Sequence, residues 1–192
     1  MSLNDGFYSG KYNWLSGLVT YAASPKDTLS VVAMGNVGET HKTGSATPLL
    51  QNNGQISNFI WTHSAGPWVI TPYLQLTRVP RNRNLGISRS ASTLGAAVLA
   101  RYLIAPGLSL AGRAEYITSS GSPGRGTPNL LYGAGSDAWS LTVTPTFQRQ
   151  RFFVRGEIGF VRVLDRASGS GFGASADKPT QTRASIESGI IF

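Results

Sequence analysis

The sequence predicts an all-β protein, an antiparallel up-and-down transmembrane β-barrel of about eight to ten strands. Three observations carry this prediction: segments of two-residue periodicity long enough for a tilted membrane strand, connections that alternate short and long, and apolar stripes that end in aromatic residues. Composition agrees, because of 192 residues 41% are hydrophobic and only 14% charged, with 23 Gly and 10 Pro, a mix suited to many strands joined by turns. No stretch approaches the ~18 uninterrupted apolar residues that a membrane helix needs.

Along the chain, alternation places strands at 11–23, 28–39, 55–64, 68–79, 91–104, 108–118, 137–148, 152–163 and 180–192. Pairs of them meet at tight turns: Ser24-Pro25-Lys26-Asp27, Ala65-Gly66-Pro67, Ala105-Pro106-Gly107 and Arg149-Gln150-Arg151. Between the pairs lie long polar links at 40–54, 80–90, 119–136 and 164–179, the asymmetry of short periplasmic turns and long external loops. Two hairpins echo each other, Thr20-Tyr21 through Pro25 to Leu29-Ser30 and Arg101-Tyr102 through Pro106 to Leu108-Ser109. Thr71-Pro72 and Thr144-Pro145 each put a residue without a ladder donor inside a strand, where a bulge is expected.

A soluble sandwich also alternates, but it turns its apolar face inward, whereas a membrane barrel turns that face to lipid. The apolar register runs Leu94, Ala96, Val98, Ala100, Tyr102; then Leu108, Leu110, Gly112, Ala114, Tyr116; then Trp139, Leu141, Val143, Pro145, Phe147; then Phe152, Val154, Gly156, Ile158, Phe160. Tyr102, Tyr116, Trp139, Phe147, Phe152 and Phe160 stand at the stripe ends as girdle aromatics. Eight residues at ~3.3 Å each, tilted near 40°, rise roughly 20 Å, close to the ~25 Å apolar band. The Gly and Ala in these stripes make a poor interdigitated core but suit fluid lipid tails.

Charges inside the strands take the opposite register: Arg101, Arg113, Glu115, Arg155, Glu157, Arg183 and Glu187. An Arg on the lipid side at the midplane costs ~2–4 kcal/mol, which explains the parity. Arg78, Glu39 and Arg162 break it at the loop ends, where the penalty vanishes. The seven charges have two readings, a structural network that fills a narrow barrel and a pore lining whose surplus arginine favours anions. Loop arginines Arg81, Arg83, Arg89 and Arg125 read as an external anion funnel, as contacts to acidic sugar phosphates of the outer leaflet, or as a solvated basic loop.

The last eleven residues, TRASIESGIIF, alternate to a terminal aromatic, Phe192. This resembles the C-terminal signal read by the bacterial barrel-assembly machinery. NDGFYSGKYNWLSG, GPWVITPYLQLTRVP, LSLAGRAEYITSSG, LTVTPTFQ and FFVRGEIGFV resemble the OmpL-like β-barrel porin family, along the whole chain and matching the C-terminal part of its longer members. The resemblance implies an outer-membrane pore, not an enzyme, located in the bacterial outer membrane of a Gram-negative organism. Its expected partners are outer-membrane lipid and lipopolysaccharide and the barrel-assembly machinery. The expected domain is residues 1–192, a single outer-membrane β-barrel domain or the C-terminal portion of one.

If Phe192 ends at the periplasm, nine strands are one short of the even count of a single-chain bacterial barrel. Residues 2–10 supply a partial strand, the first strand stands outside an eight-stranded barrel, or strands come from missing sequence or other chains; the last is favoured because an open edge in lipid is expensive. The start, Met1 to Gly6, carries no basic leader or apolar h-region, so a secretory signal is missing or removed.

Other chemistry finds little support. No cysteine is present, so disulfides, thiolate metal sites and thiol nucleophiles are excluded. A net charge of +8 raises nucleic acid as a partner, but the 13 arginines scatter over strand interiors and separate loops instead of forming a stripe with exposed aromatics, so none is expected. The two histidines, His41 and His63, have no ligand cluster in sequence, and no metal or other cofactor is expected. Glu115, Glu157 and Glu187 each have an Arg two or four residues away on the same face, which reads as neutralised acids, and no catalytic residue is assigned. Ser168–Gly173 lacks the Lys-Ser/Thr and the following helix of a phosphate loop; it and Ser122–Gly126 read as flexible external loops.

Overall fold

The computed structural model describes residues 1–4, 12–37, 54–83, 87–122, 124–128 and 130–191. Ten strands form one antiparallel sheet in chain order: β1 (Ser2–Asn4), β2 (Trp14–Ala22), β3 (Asp27–Asn36), β4 (Gln55–Ala65), β5 (Trp68–Val79), β6 (Ala91–Ala105), β7 (Leu108–Ser119), β8 (Asp137–Arg149), β9 (Phe152–Leu164) and β10 (Thr180–Ile190). No α-helix occurs among the described residues. Nine strands lie where alternation predicts them, and β1 is the tenth: Ser2, Leu3 and Asn4 pair with Ser16, Leu15 and Trp14 of β2. A partial strand within residues 2–10 is thus present and brings the strand count of this chain to ten. The sheet is not closed among the described residues, and β1 and β10 are its two edges.

Cross-strand register extends each apolar stripe sideways into a continuous face. Phe59 pairs with Leu74, Leu74 with Ala96, Ala96 with Tyr116 and Tyr116 with Trp139. One step toward the short turns, Val98 pairs with Ala114, Ala114 with Leu141 and Leu141 with Phe160. Leu141, Val143, Ile158 and Ile190 are 49%, 50%, 63% and 62% exposed, so no second sheet packs on them. Among the described residues the largest fully buried side chain is that of Ser136 and the buried apolar residues are few and mostly small, so they form no conventional hydrophobic core. Moving a Leu- or Ile-sized side chain out of water is worth ~1.5–3 kcal/mol, and this chain leaves that gain to its surroundings. The fold is inside out.

Such burial as exists lies on the opposite, polar face at the long-loop end. Val79, Ala91, Thr93, Ala97, Ser119, Ala138 and Val163 are buried there, all in the register of the charged residues. The connection between β7 and β8 lies against part of this set: Leu130 packs on Val79 and Ile87, and the Ser119 N–H donates to the Ser136 carbonyl at 2.8 Å. Within this connection the Ser136 hydroxyl donates to the Gly133 carbonyl at 2.7 Å, and Tyr132 meets Phe172 of the next long connection edge-on at 5.7 Å. The glycine-rich run 168–173 is tied in as well, through an antiparallel bridge between Phe172 and Lys178 and a bond from the Arg166 guanidinium to the Asp177 carbonyl.

The expected proline bulges are corrected. Ile60 pairs with Tyr73 and His63 with Ile70 in one unbroken register across Pro72, and Val143 with Ile158 and Thr146 with Arg155 across Pro145. Each proline removes a donor, so pairs drop out of the ladder, but no extra residue is inserted. The register shift lies instead at Leu103/Ala105, next to a short turn.

That turn closes on Gly107, whose φ of +81° is a left-handed conformation. Its carbonyl accepts from the Gln148 N–H at 2.7 Å, and a Cβ on it would lie 2.2 Å from the Gln148 carbonyl oxygen. The backbone of β8 therefore approaches where only glycine leaves room.

Candidate functional site

The candidate site is the polar face of β5 to β10, because alternation and register bring all seven sequence-predicted charges to that side. Arg155 pairs directly with Glu187, Arg113 with Thr142, Glu115 with Ser140 and Arg101 with Ala111. Arg183 pairs with Gly159 and Glu157 with Ser185, which sets Arg183 and Glu157 on a diagonal. Directly opposite and diagonal residues on one face are within reach of long side chains.

Two ion pairs result. The Arg155 guanidinium donates to Glu187 through Nε at 2.8 Å and approaches the same Oε2 through Nη2 at 2.5 Å. Arg183 Nη2 donates to Glu157 Oε1 at 3.3 Å. Both pairs run between strands, whereas sequence spacing suggested partners two or four residues along one strand. Arg155, Glu187 and Arg183 are half exposed or more and Glu157 is 39% exposed, so each pair is worth about 0.2–1 kcal/mol in water.

Glu115 is held differently. It accepts from the Tyr73 hydroxyl at 3.1 Å and from the Ser140 hydroxyl at 3.4 Å. Among the described residues no carboxylate lies within ion-pair distance of Arg101 or Arg113. Tyr73 is a site residue that sequence reasoning passed over. The signal for it was an aromatic in the polar register of β5, between Thr71 and Gln75 and opposite the small Ala97.

From the long-loop side the β7–β8 connection bears on the same groups. Burial, with a further push from the negative charge of Glu115, raises the Tyr132 phenol above its ordinary pKa. A carboxylate on the strand face and a phenol on the loop thus sense each other.

The girdle aromatics lie on the apolar face. Trp139 and Phe160 meet at 5.2 Å with their rings tilted by 48°, Tyr102 joins Trp68 at 4.7 Å, and Tyr116 pairs with Trp139. Phe147 pairs with Leu108 and Phe152 with Ile190. Phe192, Glu39 and His41 lie outside the described residues.

A second polar cluster was not legible in sequence. Asp27 Oδ2 accepts from the Ser24 hydroxyl at 2.7 Å, while its Oδ1 accepts from Trp61 Nε1 at 3.0 Å and lies 2.8 Å from His63 Nδ1. The carboxylate stands between hydroxyl and imidazole, so the His cannot activate the Ser, and the arrangement pins the β2–β3 turn to β4. Among the described residues no group of three or more His, Cys, Asp or Glu side chains is placed to hold a metal ion.

The sequence model of the family described as "Putative beta-barrel porin-2, OmpL-like" matches residues 1–192, the whole chain. No curated protein matches it.

Proposed function

The chain belongs to the OmpL-like beta-barrel porin-2 family, and from that premise we propose that it forms a porin-like channel in the bacterial outer membrane, admitting small solutes passively with a preference for anions. The polar face supplies the lining. Four arginines stand against three glutamates there, and the observation that carries the reading is how they are matched. Glu157 and Glu187 are neutralised by Arg183 and Arg155, while Arg101 and Arg113 have no carboxylate in range among the described residues. Unmatched guanidinium groups along a narrow path lower the barrier for anions and raise it for cations. Lipid and lipopolysaccharide meet the apolar face in this reading, and Phe192 is the handle for the barrel-assembly machinery. No step of it calls on catalysis or a cofactor.

A non-conducting barrel, or one subunit of a multi-chain barrel, is the second reading. What favours it is the β7–β8 connection, which lays Leu130, Tyr132 and Ala134 over the long-loop end of the polar face. Planar-bilayer recording separates the two. Conductance with a reversal potential toward the anion equilibrium in a salt gradient is expected, and Arg113→Glu should shift that potential toward the cation side. Silence, or cation selectivity of the unaltered chain, overturns the channel reading.

A further inference from the structure

Beyond the channel reading, we propose that the long-loop end of β5 to β7 carries a binding site for a phosphate-class oxyanion, formed by Arg81, Arg83 and Arg89 with hydroxyls of the facing loop. The three arginines line one open pocket of about 660 Å³ together with Ser90, Ser120 and Thr127. No carboxylate is among the described residues that line it. Three guanidinium groups facing one space repel each other while it is vacant, and an oxyanion relieves that repulsion. Planar guanidinium forks match a tetrahedral oxyanion in bidentate fashion, and serine and threonine hydroxyls complete its shell.

The wall of this pocket is built, which sets it apart from a solvated basic loop. Asn82 and Ile87 exchange backbone bonds of 3.0 and 2.9 Å, and Ile87 is anchored on Val79 with Leu130 packed against both. The Ser92 N–H donates to the Ser120 hydroxyl at 2.8 Å, and the Ser120 N–H returns a 2.8 Å bond to the Ser92 carbonyl. The Ser88 hydroxyl donates to the Gly126 carbonyl at 3.1 Å and so joins the two loops across the pocket. Gly126, with φ +71°, sits so close that a Cβ would lie 2.7 Å from that hydroxyl oxygen.

Position indicates where the oxyanion comes from. Ser92 continues the register of Leu94 and Ala96, Ser120 that of Thr118 and Tyr116, and Ser92 pairs with Arg78. The pocket therefore stands just beyond the apolar face, at the height where lipid phosphates meet water. A phosphorylated glycolipid of the outer leaflet and a free phosphate-bearing solute present the same chemistry there.

The test measures binding to the refolded full chain in detergent with three probes: inorganic phosphate, a bis-phosphorylated outer-leaflet glycolipid in micelles, and that glycolipid without its phosphates. The phosphorylated glycolipid should bind at least about tenfold more tightly than the stripped one. Arg81→Gln/Arg83→Gln/Arg89→Gln should abolish that difference, while Arg125→Gln, an exposed loop arginine outside the pocket, should keep it. A response to inorganic phosphate as well assigns the site to phosphate groups from any source, and a response to glycolipid alone assigns it to the membrane; both support the proposal. Equal binding of the two glycolipids, or equal damage from Arg125→Gln, overturns it. Because the readout is binding and not current, either result leaves the channel reading where it stands.

Discussion

Ile158 and Glu187 show how one residue's side decides its cost. Ile158 lies on the apolar face of β9, 63% exposed to its surroundings, while Glu187 of β10 takes Arg155 on the polar face. An Arg at the lipid midplane costs ~2–4 kcal/mol, so Ile158→Arg should lower stability by about that amount. Ser185→Arg, placed opposite Glu157 on the other face, should stay within about 0.5 kcal/mol of the parent. Urea unfolding from lipid vesicles measures both, and similar losses would mean that the two faces share one environment. The side of each charge was legible in sequence because parity needs only a period of two. The partner was not: Arg155 with Glu187, Glu115 with Tyr73, and Tyr132 near Glu115 each depend on a register or a loop path that no single strand contains.

Among the elements, strands and turns were read more fully than the connections. The tight turns predicted at 24–27, 65–67, 105–107 and 149–151 each stand between consecutive antiparallel strands; Pro or Gly marks the first three, and Arg149-Gln150-Arg151 is marked only by the break between two alternating runs. The long connections carry no periodicity, so their burial over the polar face and the shared pocket of Arg81, Arg83 and Arg89 became visible only once the strands had placed both loops side by side. The β6–β7 turn offers a direct test. Gly107→Ala forces a left-handed φ onto a residue with a Cβ and drives that Cβ into the Gln148 carbonyl, which must move. Backbone strain of this kind costs of order 1–3 kcal/mol. The unfolding midpoint in urea should fall accordingly, and an unchanged midpoint would mean that β8 does not hold the turn this closely.

At the scale of the whole sheet the decisive feature is its edges. β1 covers only Trp14, Leu15 and Ser16, so the backbone of β2 from Gly17 to Ala22 has no second ladder partner among the described residues, and neither has the outer side of β10. β2 and β10 run in the same direction, since an odd number of antiparallel steps would be needed to oppose them, so they cannot close the ring antiparallel by meeting each other directly. A strand running as β1 does, but longer, is what fits between them. Unpaired amides in hydrocarbon cost several kcal/mol each, which makes this seam the weakest part of the fold wherever such a strand is not supplied. Amide hydrogen exchange on residues 1–192 in micelles should therefore show a gradient, fast at Gly17–Ala22 and along β10, slow in β6 to β8, where every strand has two neighbours. Addition of whatever supplies the absent strand, whether a longer chain or a second copy, should protect the seam without altering β6 to β8. If the seam is already as protected as the centre, residues 1–192 close on themselves, and the ring is a ten-stranded barrel with the correspondingly narrow interior.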